Sequence, residues 1–259
     1  MIRAMIFDLD GTLVKTEYLK SISYARAIVS LSDGSVDEAT AQAAFKDVVG
    51  RSRKEVVLYL AEKFGLNQVC DDLCDKYGVH ERWEVLSAVR LGIYNDMLQD
   101  PNILRKNLWP HNVDLLRLAR ETLCKVGLAT MSERKQAEHV LKVLGLREYF
   151  HCVATADDVK KTKPDPEIYL TVSHWLEVPP PECLVIEDSP SGVKAGLAAG
   201  MNVIAVATDF TKDQLLALER IDNHWVVIDP KTLQDVVREK IELSRGGEDD
   251  LASCGIAKG

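Results

Sequence analysis

The sequence predicts a doubly wound, parallel α/β sheet with an all-helical domain inserted after its first strand. Three observations carry that expectation. Short, continuous apolar runs recur at both ends of the chain, each ending in a polar turn. Helical patterns separate those runs along the C-terminal half. From about Thr16 to Asn107 the alternation stops, and several helical patterns follow one another with no convincing strand.

The first run, "AMIF" (4–7), is apolar on both faces and suits a strand buried on both sides. The helical block then reads as helices over about 17–30, 37–48, 53–64 and 79–99. After it, "VDLLRLARETL" leads to the strand "KVGLAT" (125–130), and "SERKQAEHVLKVLGL" leads to "CVAT" (152–155). "PEIYLTVSHWLEV" precedes "CLVIED" (183–188), and "SPSGVKAGLAAG" precedes "NVIAV" (202–206) and "HWVVI" (224–228). Strands alternating with helices imply right-handed βαβ units and a Rossmann-like sheet. The expected division is a core of 1–15 plus 108–243 and a helical cap domain of 16–107. The chain would cross between them near Val14–Thr16 and Asp100–Leu108. The Gly-rich, polar stretch 244–259 reads as a flexible tail.

Composition narrows the function. With 46% hydrophobic and 28% charged residues in 259, the chain has ample material for a core. A net charge of −8 counts against nucleic acid or an anionic membrane as partner. Of six cysteines, only Cys70 and Cys74 are close, and a C-x3-C without a second pair is a poor zinc signature. Free thiols in a reducing compartment are the expectation. No apolar stretch reaches the length of a membrane span, and with the informative motif starting at Asp8 no uncleaved targeting peptide is expected. A cytoplasmic protein, monomeric or weakly dimeric, is expected.

In an open parallel sheet, ligands bind beyond the carboxyl ends of the strands. The residues there are Asp8 and Asp10, then Thr130 and Ser132, then the loop "KKTKPDP" (160–166), then Glu187 and Asp188. Each has an ordinary reading alone. Asp8 and Asp10 could end a strand in a turn, and Thr130 could be a plain β-former. Ser132 could cap the helix beginning at Glu133, and Ser189 with Pro190 reads as an N-cap followed by proline at N1. Together they are more specific. Crowded carboxylates repel unless a cation lies among them, and Mg2+ takes oxygen ligands, for which Asp8 and Asp188 are the natural carboxylates. A lysine and a hydroxyl suit the remaining oxygens of a phosphate. Pro164 holds its predecessor extended, which singles out Lys163 over Lys160 and Lys161.

"DLDGTL", "LATMS", "KTKPDP" and "VIEDSPSGVKAGLAAGM" resemble, in order, the four motifs of the haloacid dehalogenase superfamily. The match is closest to the branch of phosphatases and sugar-phosphate mutases with a helical cap after the first strand. The resemblance implies that Asp8 is the nucleophile, forming an aspartyl-phosphate. Asp10 would protonate the leaving oxygen and then activate water, its carbonyl helping to bind Mg2+. Thr130 would hydrogen-bond the phosphoryl group, and Lys163 would neutralise it while bracing Asp8. Asp188 would complete the metal site, with Glu187 as a direct or water-bridged helper. An acid at position 10 favours ester hydrolysis, because an alkoxide leaving group needs a proton.

In the cap, Ser52-x-x-Glu55 reads as a capping box, with Arg53 and Lys54 in a first turn whose dipole disfavours cations. Arg53 aligns with an arginine that grips the substrate's far end in the β-phosphoglucomutase-like group. Arg90 could assist, and Lys20 is a third candidate contact at the cap entrance. A solvated basic face is the competing reading. Lys15 and Lys20 depart from the mutase pattern, which has histidine at position 20, and count against mutase activity. The expected function is a Mg2+-dependent phosphatase acting on a small phosphorylated metabolite, a sugar phosphate first. A β-phosphoglucomutase-like mutase is the alternative, and a non-catalytic interaction protein of the same fold the third.

Overall fold

The structure is a computed structural model that describes residues 1–48, 53–122 and 125–252, the stretch from 246 as backbone alone. The apolar runs form β1 (Ala4–Phe7), β2 (Lys125–Ala129), β3 (Cys152–Ala154), β4 (Cys183–Glu187), β5 (Asn202–Val206) and β6 (Val226–Val227). They make one parallel sheet in the order β3-β2-β1-β4-β5-β6. All of β1 and β4 is buried, which is why both read as unbroken apolar runs rather than alternating ones.

Register places the chemistry. Phe7 pairs with Leu128 on one side and with Ile186 on the other. The residues that follow these three therefore lie together at the carboxyl edge of the sheet. They are Asp8, then Ala129 with Thr130, then Glu187 with Asp188. The chain moves from β1 outward to β2 and β3, then returns to β4 on the opposite side. That reversal of strand order at β1 is where open α/β sheets bind ligands.

The chain divides into two compact units, Met1–Lys15 with Leu108–Gly259, and Thr16–Asn107. In the first, α7 (Pro110–Glu121), α8 (Arg134–Leu144), α9 (Glu167–Leu176), α10 (Pro190–Ala198), α11 (Lys212–Leu216) and α12 (Leu233–Ala252) accompany the strands; the numbering leaves α1–α6 for the second unit. α9 lies close on the sheet because Gly127 of β2 has no side chain. A Cβ there would meet Val172 at 2.4 Å. Its inward stripe of Ile168, Tyr169, Val172 and Leu176 is almost completely buried, worth about 1.5–3 kcal/mol for each large apolar side chain. α12 continues to Ala252, past the point where the sequence predicted a tail: Gly246 and Gly247 weaken a helix, but no proline follows to end it.

The second unit is entirely helical among its described residues, with α1 (Thr16–Leu31), α2 (Glu38–Phe45), α3 (Arg53–Lys63), α4 (Asn67–Tyr77), α5 (Arg82–Gln99) and α6 (Pro101–Lys106). The sequence expectation lacked α4 and α6. In α4 Val69, Cys70, Leu73, Cys74 and Tyr77 recur at helical spacing, a short stripe that the expectation passed over, and of these only Cys70 is fully buried. α6 starts on Pro101 at its first position, capped by Asp100, whose Oδ1 accepts from Asn102 N at 2.8 Å. The expected capping box at Ser52 falls outside the described residues. A reciprocal box does open α5, where Glu81 N donates to Glu84 Oε2 at 2.9 Å. No helix among the described residues is long and apolar enough to cross a membrane.

Candidate active site

Asp8 follows directly on β1, its backbone N donating to Ile186 O of β4 at 3.1 Å, and its side chain is 7% exposed. Lys163 arrives from the loop before α9 with its side chain 5% exposed. Its ammonium donates to Asp8 Oδ1 at 2.8 Å, Glu187 Oε2 at 2.7 Å and Ala129 O at 3.0 Å. An ammonium has three protons, so all are engaged. Asp8 Oδ2 takes no hydrogen bond among the described residues. The lysine the sequence singled out is thus the one that reaches the aspartate, while Lys161 pairs with Asp165 on the surface.

Glu187 accepts hydrogen bonds at both oxygens. Oε1 accepts from Asp188 N, Ser189 N and Ser189 Oγ at 3.2, 3.0 and 2.8 Å. Oε2 accepts from Lys163 and from Tyr169 OH, the latter at 2.6 Å. Two glycines make room for this packing. A Cβ on Gly192 would lie 2.0 Å from Glu187 Oε2, and one on Gly11 would lie 2.0 Å from Asp188 Oδ2. Gly11 also adopts φ +87°, a conformation L side chains avoid. Asp188 accepts from Thr12 Oγ1 at 3.1 Å, and Thr12 O accepts from Asn112 Nδ2 of α7 at 2.6 Å.

Asp10 lies apart from this carboxylate group. Its Oδ2 accepts from Thr130 Oγ1 at 3.1 Å and from Ser132 Oγ at 2.6 Å, leaving Oδ1 outside these bonds. Ser132 therefore does not cap a helix, as the sequence suggested. α8 begins at Arg134, and Arg134 N donates instead to Asp157 Oδ2 at 3.1 Å. Asp10's pull on the hydroxyl at 2.6 Å outweighs a cap that another carboxylate supplies. The cap predicted at Ser189 does form, with Gly192 N donating to Ser189 Oγ at 3.0 Å and Pro190 at N1.

Electrostatics follow burial and crowding. Burial pushes the Asp8 carboxyl up to about 8, with the charges of Glu187 and Asp10 adding to the rise and Lys163 opposing it. Burial alone would lower the Lys163 ammonium, but Asp8 and Glu187 reverse that and hold it well above its ordinary value. Burial would raise Glu187, yet Lys163, Tyr169 and the Ser189 backbone bring it below the usual range. Tyr169, raised by burial first and then by Glu187, stays a phenol and donates. Asp8, Glu187 and Asp188 each offer an oxygen within 4.8 Å of the others. Three carboxylates against one buried ammonium form an oxygen-rich donor set that a hard divalent cation fits. Both oxygens of Glu187 already accept hydrogen bonds.

The helical unit holds the other candidates. Arg53 is exposed as the first residue of α3. Lys20 Nζ pairs with Glu17 Oε1 at 2.6 Å. Arg90 is 5% exposed, so it is no part of a solvated face. Its Nε donates to Ser23 Oγ at 3.0 Å, and its guanidinium lies 4.9 and 4.5 Å from the Tyr24 and Tyr94 ring centres. Sequence reasoning missed Tyr169, Thr12 and Asn112. Tyr169 could have been found as the polar tip in an otherwise aliphatic stripe, since a buried tyrosine hydroxyl needs a partner. Thr12 and Asn112 carry no such mark.

Comparison with known proteins agrees with this geometry. The family model described as haloacid dehalogenase-like hydrolase matches residues 5–206. The chain is 28% identical over 236 residues to a phosphorylated carbohydrates phosphatase of Thermotoga maritima, covering 91% of this chain and 98% of that protein. It is 28% identical over 214 residues to the β-phosphoglucomutase of Bacillus subtilis, covering 79% and 83%. The crystal structure of β-phosphoglucomutase from Clostridium difficile superposes with a TM-score of 0.59 at 26% identity, covering 93% of this chain and 99% of that one. A match over most of the chain, on a parallel sheet whose central edge carries the expected aspartates and lysine, settles the family: the chain belongs to the haloacid dehalogenase-like hydrolases.

Proposed function

We propose that the protein is a Mg2+-dependent phosphatase that hydrolyses a small phosphorylated metabolite, a sugar phosphate in the first instance, through an aspartyl-phosphate. The observation that carries this is the arrangement of the two aspartates. Asp8 has one oxygen pinned by Lys163 and the other without a hydrogen bond, while Asp10 is aimed separately by Thr130 and Ser132. One carboxylate is placed to attack and a second to move a proton.

In this mechanism Asp8 Oδ2 attacks phosphorus, and the bond from phosphorus to the ester oxygen breaks. That oxygen leaves with a proton from Asp10. Asp10, now a carboxylate, takes a proton from water, which attacks the same phosphorus. The acyl-phosphate P–O bond breaks, Asp8 is restored and inorganic phosphate departs. Thr130 and Lys163 stabilise charge spread over the equatorial oxygens, the main contribution a protein makes to phosphoryl transfer. Asp8 and Asp188 would hold Mg2+ with the Asp10 carbonyl, and Glu187 would act at one remove. The bound ion supplies charge neutralisation for the transferring group.

The sugar-phosphate substrate class is supported by the name of the Thermotoga maritima relative. The likeness to the Bacillus subtilis protein supports a mutase as second reading. Leaving-group recognition is proposed for Arg53, Arg90 and Lys20, whose alanine variants should raise KM more than they lower kcat. The deciding experiment measures phosphate release from a panel of sugar and nucleotide phosphates, with Asp8→Asn as blank. Mg2+-dependent release lost in Asp8→Asn supports the proposal. Conversion of a hexose 1-phosphate to the 6-phosphate without release identifies a mutase, and neither activity rejects both.

A further inference from the structure

Lys163 presents a difficulty for the mechanism just proposed. All three of its protons are engaged, by Asp8, Ala129 and Glu187, so none is left for a phosphoryl oxygen. To donate in the transition state it must exchange one of these bonds. Releasing Asp8 would unbrace the nucleophile, and releasing Ala129 O would strand a buried backbone carbonyl. Releasing Glu187 would ordinarily be worst, because it leaves a buried carboxylate oxygen short of a donor.

Tyr169 changes that balance. Its hydroxyl donates to the same oxygen, Glu187 Oε2, at 2.6 Å, from a fully buried position in the first turn of α9. The other oxygen is held independently by Asp188 N and by Ser189. The lysine ammonium also lies 4.9 Å from the centre of the Tyr169 ring, so it can shift while remaining over the ring's negative face. We infer that Tyr169 is a positioning residue for phosphoryl transfer: its hydroxyl keeps Glu187 Oε2 bonded while Lys163 turns a proton from Glu187 to the transferring phosphoryl group. The inference rests on the phosphatase reading and assigns a task to a residue that reading leaves idle.

Without the hydroxyl, Lys163 is the sole donor to Oε2 and is held there. The cost should fall on the transition state, where the new bond forms, and spare the ground-state complex. Tyr169→Phe removes one oxygen and keeps the ring. Ser173→Ala serves as control: it removes another buried hydroxyl of α9, which donates to Val178 O at 2.6 Å away from the carboxylates.

The experiment combines p-nitrophenyl phosphate hydrolysis in Mg2+ with thermal-shift titration by orthovanadate and by inorganic phosphate. Tyr169→Phe should lower kcat about tenfold, a change of about 1.4 kcal/mol in barrier height, with KM within about twofold. Vanadate affinity should weaken by a similar factor and phosphate affinity hold. Ser173→Ala should lose Tm yet keep kcat and vanadate affinity. Equal kcat in Tyr169→Phe and wild type overturns the inference and leaves the phosphatase reading standing, as does a parallel loss in Ser173→Ala. A wild-type protein that neither hydrolyses the ester nor binds vanadate overturns both.

Discussion

Asp8 and Asp10 are only two residues apart in the chain, yet their surroundings differ sharply. Asp8 is buried against an ammonium, whereas Asp10 faces two hydroxyls. If Asp10 delivers the leaving-group proton, Asp10→Asn should lower kcat by about 10²–10⁴-fold on an alkyl phosphate. The loss should shrink on p-nitrophenyl phosphate, whose phenolate departs more readily unprotonated. Equal losses on the two esters would remove Asp10 from the acid role. A second residue-scale expectation concerns Cys152, whose thiol burial pushes up to about 11. Its thiolate appears only as pH rises toward that value, so at pH 8 about one thiol in a thousand is reactive. Iodoacetamide at pH 8 should leave Cys152 unlabelled in the native protein and label it after unfolding. Rapid native labelling, read by peptide mass spectrometry, would contradict the burial.

At the scale of elements, the junction of β4 with α10 is tightly constrained. Glu187 closes the strand, Ser189 caps the helix, and Gly192 in the first turn leaves the space that Glu187 fills. Gly192→Ala should therefore displace Glu187, and with it Lys163. Overpacking of this kind costs about 1–3 kcal/mol, read as a fall in the urea midpoint. Activity should fall further than that loss explains, since folded protein would carry a misplaced lysine. Full activity in the folded variant would show that the carboxylate can move freely. Much of this was legible beforehand. The spans 4–7, 125–129, 183–187 and 202–206 stand out because doubly buried strands are apolar throughout. α4 was passed over although Val69, Cys70, Leu73, Cys74 and Tyr77 recur at helical spacing, a stripe too short to stand out among its charged neighbours. Ser132 was misassigned because capping is a local rule and Asp10, 122 residues away in sequence, is not local.

For the molecule as a whole, charge is the property that unites these details. The chain carries a net charge of −8, and its candidate site adds three carboxylates against one buried lysine. Buried charge left uncompensated is costly, so a cation among these carboxylates would offset part of that cost. Mg2+ that binds the native state should therefore raise stability by about 2.7 kcal/mol at a hundred times its Kd. Calorimetry should show Tm rising with Mg2+ and falling back on chelation, while Asp188→Asn blunts the rise. A Tm indifferent to Mg2+ in the wild-type protein would argue against a cation among these carboxylates.

By itself the sequence determined the architecture and which residues gather at one edge of the sheet, for two physical reasons. Burial on both faces writes apolar strands into the composition, and the edge of a parallel sheet shows which residues follow them. Asp8, Asp10, Thr130, Lys163, Glu187 and Asp188 were all recognisable in this way. Only the tertiary structure decided how they are connected. It assigned one oxygen of Asp8 to Lys163, gave Asp10 to Thr130 and Ser132, and buried Arg90 between two tyrosines. It also brought Tyr169 onto Glu187. Hydrogen bonds between residues distant in the chain depend on distances of a few tenths of an ångström, and no local pattern encodes those.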